Sequence, residues 1–200
     1  MHIRRTVIAA ALVTGIALGI GTAAQADEHG AAVYGLDTAH TTVGFSIRHM
    51  GIANVRGHFD EYEAEIHYDG ENLASLVVSA TIHAASINTQ NQRRDDHLRS
   101  ADYFEAETYP ALTFKSTGVV PHDDGHALTG HLTIKDVTKE VTLPFELSGP
   151  IEDPWGGQRI GISIGGQINR QDFGVAYDAT ADRLIGDVVT FDIQIQAVQQ

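Results

Sequence analysis

"LTGHLTIKDVTKEVTLPFEL", residues 128–147, alternates apolar and polar side chains over most of its length. Leu128, Gly130, Leu132 and Ile134 hold one phase, and Val141, Leu143, Phe145 and Leu147 repeat it farther along. A period of two sends successive side chains to opposite faces of an extended chain, so each run reads as a strand with one apolar face. The pattern continues outward. Upstream lie Val43, Phe45 and Ile47, then Ala64, Ile66 and Tyr68, a more continuous run from Leu76 to Ile82, and Leu112 with Phe114 after Pro110. Downstream lie Ile160, Ile162, Ile164 and Ile168, and finally Phe191, Ile193 and Ile195. Turn formers separate them: Asp69-Gly70, Asp124-Gly125, Pro150 and Asp153-Pro154-Trp155-Gly156-Gly157. Many one-sided strands joined by short turns predict an all-β antiparallel barrel or sandwich.

One segment breaks the pattern. Residues 93–104, RRDDHLRSADYF, are the densest run of charge in the chain. Thr89-x-x-Gln92 has the form of a capping box, which predicts a short helix after residue 89 that runs to about Arg99. Ser100 can then cap a further turn ending at Phe104. Leu98, Ala101 and Phe104 would face one side and the charges the other.

The chain has 200 residues and a net charge of −13. Its start carries Arg4 and Arg5, an apolar stretch from Val7 to Ile20, and Ala24-Gln25-Ala26. That is the layout of a secretory signal peptide over residues 1–26, with a mature domain over 27–200. The location expected is therefore periplasmic or secreted; two arginines alone do not decide between export routes. Nothing later approaches the roughly 20 apolar residues a spanning helix needs, so no stable membrane insertion is expected. Taken over the whole surface, the acidic balance is expected to repel nucleic acid and anionic membranes. There is no cysteine, hence neither disulfide nor thiol chemistry.

Several motifs could carry chemistry. Gly161-Ile162-Ser163-Ile164-Gly165 matches G-x-S-x-G, but the Ser sits within an alternating strand and no His follows it. Eleven histidines include no H-E-x-x-H pair. His122-Asp123-Asp124-Gly125-His126 reads better as a polar hairpin turn than as a metal site. His40, His49, His58 and His67 recur every nine residues, an odd spacing that alternates faces on a strand. Asp95, Asp96 and His97 could form an acid–base pair, yet lack a partnered nucleophile. The plainer reading is a solvated helix face whose Leu98 and Phe104 plug an apolar interior. A His/Asp metal-dependent hydrolase and a ligand-free structural or stress module with a filled barrel remain the alternatives.

The residues also resemble a known family. Val43-Gly-Phe-Ser-Ile-Arg-His-Met-Gly51, Ser86-Ile-Asn-Thr89, Arg94-Asp-Asp-His-Leu-Arg-Ser-Ala-Asp-Tyr-Phe104, Tyr109-Pro-Ala-Leu-Thr-Phe-Lys-Ser-Thr117, residues 128–139, Asp153-Pro-Trp-Gly-Gly157 and Ile168-Asn-Arg-Gln-Asp-Phe-Gly174 are similar to segments of the YceI-like family of exported lipid-binding proteins, in the same order. Asp136 departs from it, standing where the family usually has Gly in a tight turn; Asp tolerates positive φ better than most residues. The resemblance implies a lipocalin-like antiparallel β-barrel whose interior holds a long isoprenoid or fatty lipid, such as an isoprenoid quinone, a prenyl phosphate or a fatty amide. It implies no enzyme activity, cofactor, metal or catalytic residue. It leaves open a homodimer, and whether the barrel is hollow or filled.

The expected apolar lining comprises Phe45, Ile47, Phe59, Leu98, Phe104, Phe114, Leu132, Ile134, Phe145, Ile164 and Phe173, each on an apolar phase or beside a matching segment. Ordinary core is the competing reading for each, since burial alone does not separate the two. His97, Arg99 and Arg170 are candidates for contact with a lipid head group, against internal ion pairs to Asp95 or Asp102. Arg170 and Asp172, read as two apart on a strand, would share a face, with Phe173 inward and Gly174 allowing a bend. That segment is expected to tie a strand end to the barrel rim.

Overall fold

The computed structural model describes residues 30–123, 125–176 and 184–200. The expected signal peptide and Asp124 lie outside the described residues.

The opening stretch forms a hairpin. β8 (Gly125–Ile134) and β9 (Val137–Glu152) pair antiparallel from Ile134 opposite Val137 to His126 opposite Phe145. Leu128 faces Leu143 and Gly130 faces Val141, so the apolar phases of both strands fall on one face. The turn between them is two residues long, and its positive φ (56°) falls on Lys135 rather than on Asp136. The tight turn therefore forms with Asp136 in place of glycine, its left-handed residue being Lys135.

β7 (Ala111–His122) and β5 (Val77–His83) extend the sheet on one side, and β10 (Gln158–Asn169) and β11 (Ile185–Gln199) on the other. β1 (Ala32–Leu36) and β4 (Tyr62–Tyr68) close it: β1 pairs with both β4 and β11. The order β1-β4-β5-β7-β8-β9-β10-β11 and back to β1 is a closed eight-stranded antiparallel barrel. Closure removes the sheet edges.

Three neighbouring strands are each broken and then resumed. β2 (Thr42–His49) follows β1 along β11, β3 (Ala53–Phe59) precedes β4, and β6 (Ile87–Asn88) follows β5 and pairs with β3. The breaks, at residues 37–41, 60–61 and 84–86, are stitched together: Tyr62 Oη donates to Thr41 O at 2.6 Å, and Asp60 N to Ser86 O at 3.1 Å. Burial raises the pKa of the Tyr62 phenol, so it stays the donor.

The one α-helix among the described residues, α1 (Gln92–Arg99), ends where expected but begins differently. Asn91, not Thr89, is its cap, accepting from Arg94 N at 3.1 Å. Thr89 is occupied elsewhere: its N–H and hydroxyl both donate to the buried Asp95 carboxylate, and Arg94 Nε donates to its Oγ1 at 2.7 Å. An eight-residue helix is not stable alone in water. Arg99 fixes it to the barrel, donating to Ala85 O at 2.6 Å and Ile87 O at 2.8 Å.

The interior divides into two parts. Around the β7–β8 and β9–β10 turns it is filled by Tyr34, Ile66, Tyr68, Leu76, Leu128, Phe145, Ile160 and Ile162. Around α1 and the β2–β3 turn a second buried group, including Val43, Phe59, Ile87, Tyr103, Leu112 and Ile134, forms a wall instead of a plug.

Candidate functional site

Inside that wall is a cavity of about 870 Å³. It is at the upper end of the roughly 300–1,000 Å³ common for small-molecule sites. Its floor is Leu36, Val78, Leu143, Ile164 and Ile195, and its mouth is edged by Arg48, His49, Arg93, Arg94 and Leu184. Along β11 it follows Ile185, Val189, Phe191, Ile193 and Ile195. Ten residues of tilted strand give a depth of roughly 25 Å. The space is thus long, narrow, apolar in depth and polar at one end.

Nine of the eleven residues expected to line the interior stand on this cavity: Phe45, Ile47, Phe59, Leu98, Phe104, Phe114, Leu132, Ile134 and Ile164. Phe145 and Phe173 do not. Phe145 has the correct phase on β9 but lies past the floor, in the filled end. Phe173 is 2% exposed and packs behind the wall. It belongs to a 3₁₀ turn, Arg170–Phe173, not to a strand, so a period of two does not apply there. Gly174 ends that turn with φ 66°.

The three polar candidates differ. His97 edges the cavity, its Nε2 2.7 Å from Asp102 Oδ2 and its ring edge-on to Tyr103. Arg99 is absent from the lining and holds α1, as above. Arg170 touches the cavity but is 4% exposed, and its guanidinium donates to Val175 O and Gly186 O, each at 2.9 Å. It contacts Asp187 at 3.4 Å; Asp172, expected beside it, instead meets Lys139 at 4.0 Å. Sequence reasoning passed over Phe191, Ile193, Ile195 and Ile168, whose alternation was visible, and Arg48, Arg93 and Tyr62, which carried no local signal.

What keeps the interior open is a set of glycines opposite phenylalanines. Gly57 pairs directly with Phe45, and Gly166 with Phe191. A Cβ on Gly166 would come within 2.6 Å of the Phe191 ring, and one on Gly57 within 2.5 Å of Phe45 Cζ. The bare backbone lets each ring lie along the wall rather than across the lumen. Without those gaps the same aromatic volume would fill the barrel.

Ser163 lies within β10 and donates to Gln194 Oε1 at 2.7 Å, so the G-x-S-x-G match makes no nucleophile elbow. Among the described residues, no three His, Asp or Glu side chains come together as metal ligands.

Comparison with known proteins agrees with this architecture. The family model for the YceI-like domain matches residues 34–197. This chain belongs to the YceI-like family. It is 41% identical over 139 residues to the UPF0312 protein plu2095 of Photorhabdus laumondii, covering 70% of this chain and 72% of that one. The crystal structure of the Campylobacter jejuni YceI protein superposes with a TM-score of 0.69 at 38% identity, covering 82% of this chain and 96% of that one. A polyisoprenoid-binding domain from Saccharophagus degradans, implicated in plant cell wall breakdown, has the same fold, with a TM-score of 0.65 at 18% identity and coverage of 84% and 99%.

Proposed function

We propose that this protein is an exported, non-catalytic carrier that holds one long apolar lipid, of isoprenoid or fatty type, lengthwise in the barrel. The observation that carries the reading is the cavity of about 870 Å³, deep, narrow and apolar below a polar mouth. Such a shape suits a chain with a small polar end. Each buried CH₂ contributes about 0.8 kcal/mol, so affinity comes from length and needs few polar contacts. The polyisoprenoid ligand of the S. degradans domain is of this shape, and so supports an isoprenoid quinone or prenyl phosphate for this chain. The signal-peptide layout of residues 1–26 supports a periplasmic or secreted location. The cavity disfavours the filled-barrel alternative.

Native mass spectrometry of protein purified from its own cell envelope tests the proposal. The expected spectrum carries one added lipid mass per chain. A spectrum of bare protein, with no uptake of added prenyl quinone, prenyl phosphate or fatty amide, overturns it.

A further inference from the structure

The barrel's open rim differs from the rest of the molecule. Ile52 is 80% exposed and Met50 55%, both in the β2–β3 turn. Leu184 (49%) and Val188 (47%) stand beside them, and Met50 N donates to Leu184 O at 2.6 Å, tying the two segments together. Arg48, Arg93 and Arg94 edge the same mouth.

Among the described residues, the acids nearby are paired. Asp96 meets Arg99 at 3.1 Å, Asp102 meets His97 at 2.7 Å, Asp172 meets Lys139 at 4.0 Å and Asp187 meets Arg170 at 3.4 Å. Arg93 has no acidic partner among the described residues, and Arg48 meets only Asn54 Oδ1, at 3.4 Å. Among the described residues, this rim therefore carries arginines without an acidic partner beside an apolar tip, in a chain of net charge −13.

We propose that this rim is a docking face for the surface of an anionic phospholipid bilayer. Ile52, Met50 and Leu184 enter the head-group zone while Arg48 and Arg93 meet lipid phosphates, which sets the cavity mouth against the lipid phase. The inference rests on the carrier reading and adds the surface from which the lipid is taken or to which it is delivered. An apolar tip flanked by arginines is the composition that binds peripherally to anionic bilayers. The opposite end is a poorer fit despite its exposed Trp155 and Ile151: the interior there is filled, and Arg159 is bound to both Asp37 and Asp153.

Vesicle flotation of the purified mature protein tests this, with phosphatidylcholine alone or mixed with phosphatidylglycerol. Binding is expected to the mixed vesicles, weak on neutral ones, and reduced by high salt. Arg48→Ala and Arg93→Ala each weaken it about fivefold, Ile52→Asp abolishes it, and Trp155→Ala leaves it intact. These side chains are exposed, so melting temperatures should match wild type and confirm that the variants fold. Absence of flotation by the wild type overturns the proposal, as does equal loss in Trp155→Ala. A change of oligomeric state in Ile52→Asp with vesicle binding retained also overturns it, and assigns the rim to a second copy of the chain. Bound lipid is measured on the same samples by native mass spectrometry. A lipid-loaded protein that ignores vesicles sinks docking alone, and a lipid-free protein that floats sinks the carrier reading alone.

Discussion

Arg170 illustrates how a charged residue at a cavity can be structural. Its planar fork reaches the carbonyls of Val175, Gly186 and Ile185, and so joins the turn after β10 to the start of β11. Lysine has one compact ammonium and cannot reproduce that fork. Arg170→Lys is therefore expected to destabilise the fold by about 1.5–3 kcal/mol, the range for hydrogen bonds to a charged group. Urea denaturation measures this. The folded fraction should keep its lipid load; unchanged stability with lost affinity for prenyl phosphates would instead make Arg170 a head-group ligand. Asp95 belongs to the same class, its buried carboxylate accepting from the Thr89 N–H and hydroxyl.

At the scale of paired strands, shape is set by what a side chain faces across the ladder. Gly166→Ala should push the Phe191 ring toward the lumen, because the new methyl would come within 2.6 Å of it. Overpacking of this kind costs about 1–3 kcal/mol when nothing yields, and less here because the ring can swing into open space. The expected result is clear loss of retained lipid with little change in melting temperature. Gly165→Ala is the control, since a Cβ there meets nothing within 4 Å. Equal lipid retention in the two variants would show that the glycine gap does not govern the cavity.

Electrostatics links the first strand to the β9–β10 turn. Arg159 donates to Asp153 at 2.5 Å and Asp37 at 2.8 Å. The Asp153 pKa is lowered chiefly by Arg159, and that of Asp37 by His40 and then Arg159. A carboxylate whose folded pKa is depressed stabilises the fold above its unfolded value, near 4, and loses that contribution as pH falls through the folded value. Arg159→Met should therefore lower the urea midpoint at pH 7, and its deficit against wild type should shrink below about pH 4. A deficit independent of pH would mean that packing, not charge, was lost.

For the whole molecule, a barrel closed on itself need not have its interior filled. The cavity can be closed without removing any wall contact: Ala80, a small residue on its lining, offers a place to insert volume. Ala80→Trp is expected to keep the fold and the melting temperature of lipid-free protein while losing the bound lipid. Retention of lipid at wild-type level would place the ligand elsewhere.

By itself the sequence determined the strands, because alternation of period two is a local property that each segment carries without its neighbours. It also determined that the chain forms an antiparallel β-barrel, through the ordered segments shared with the YceI-like family, and it placed α1 to within a few residues. Most of the lining was readable for the same reason, since phase alone sends Phe45, Phe114 and Leu132 inward. Only the tertiary structure decided how far along each strand the open space extends, which put Ile164 on the cavity floor and Phe145 beyond it. It alone placed Phe173 behind the wall, because a 3₁₀ turn does not keep the strand period. It alone brought Arg48, Arg93 and Leu184, far apart in the chain, to one rim. Alternation specifies a face; depth, openness and the neighbours across a ladder depend on register and closure, which no single segment encodes.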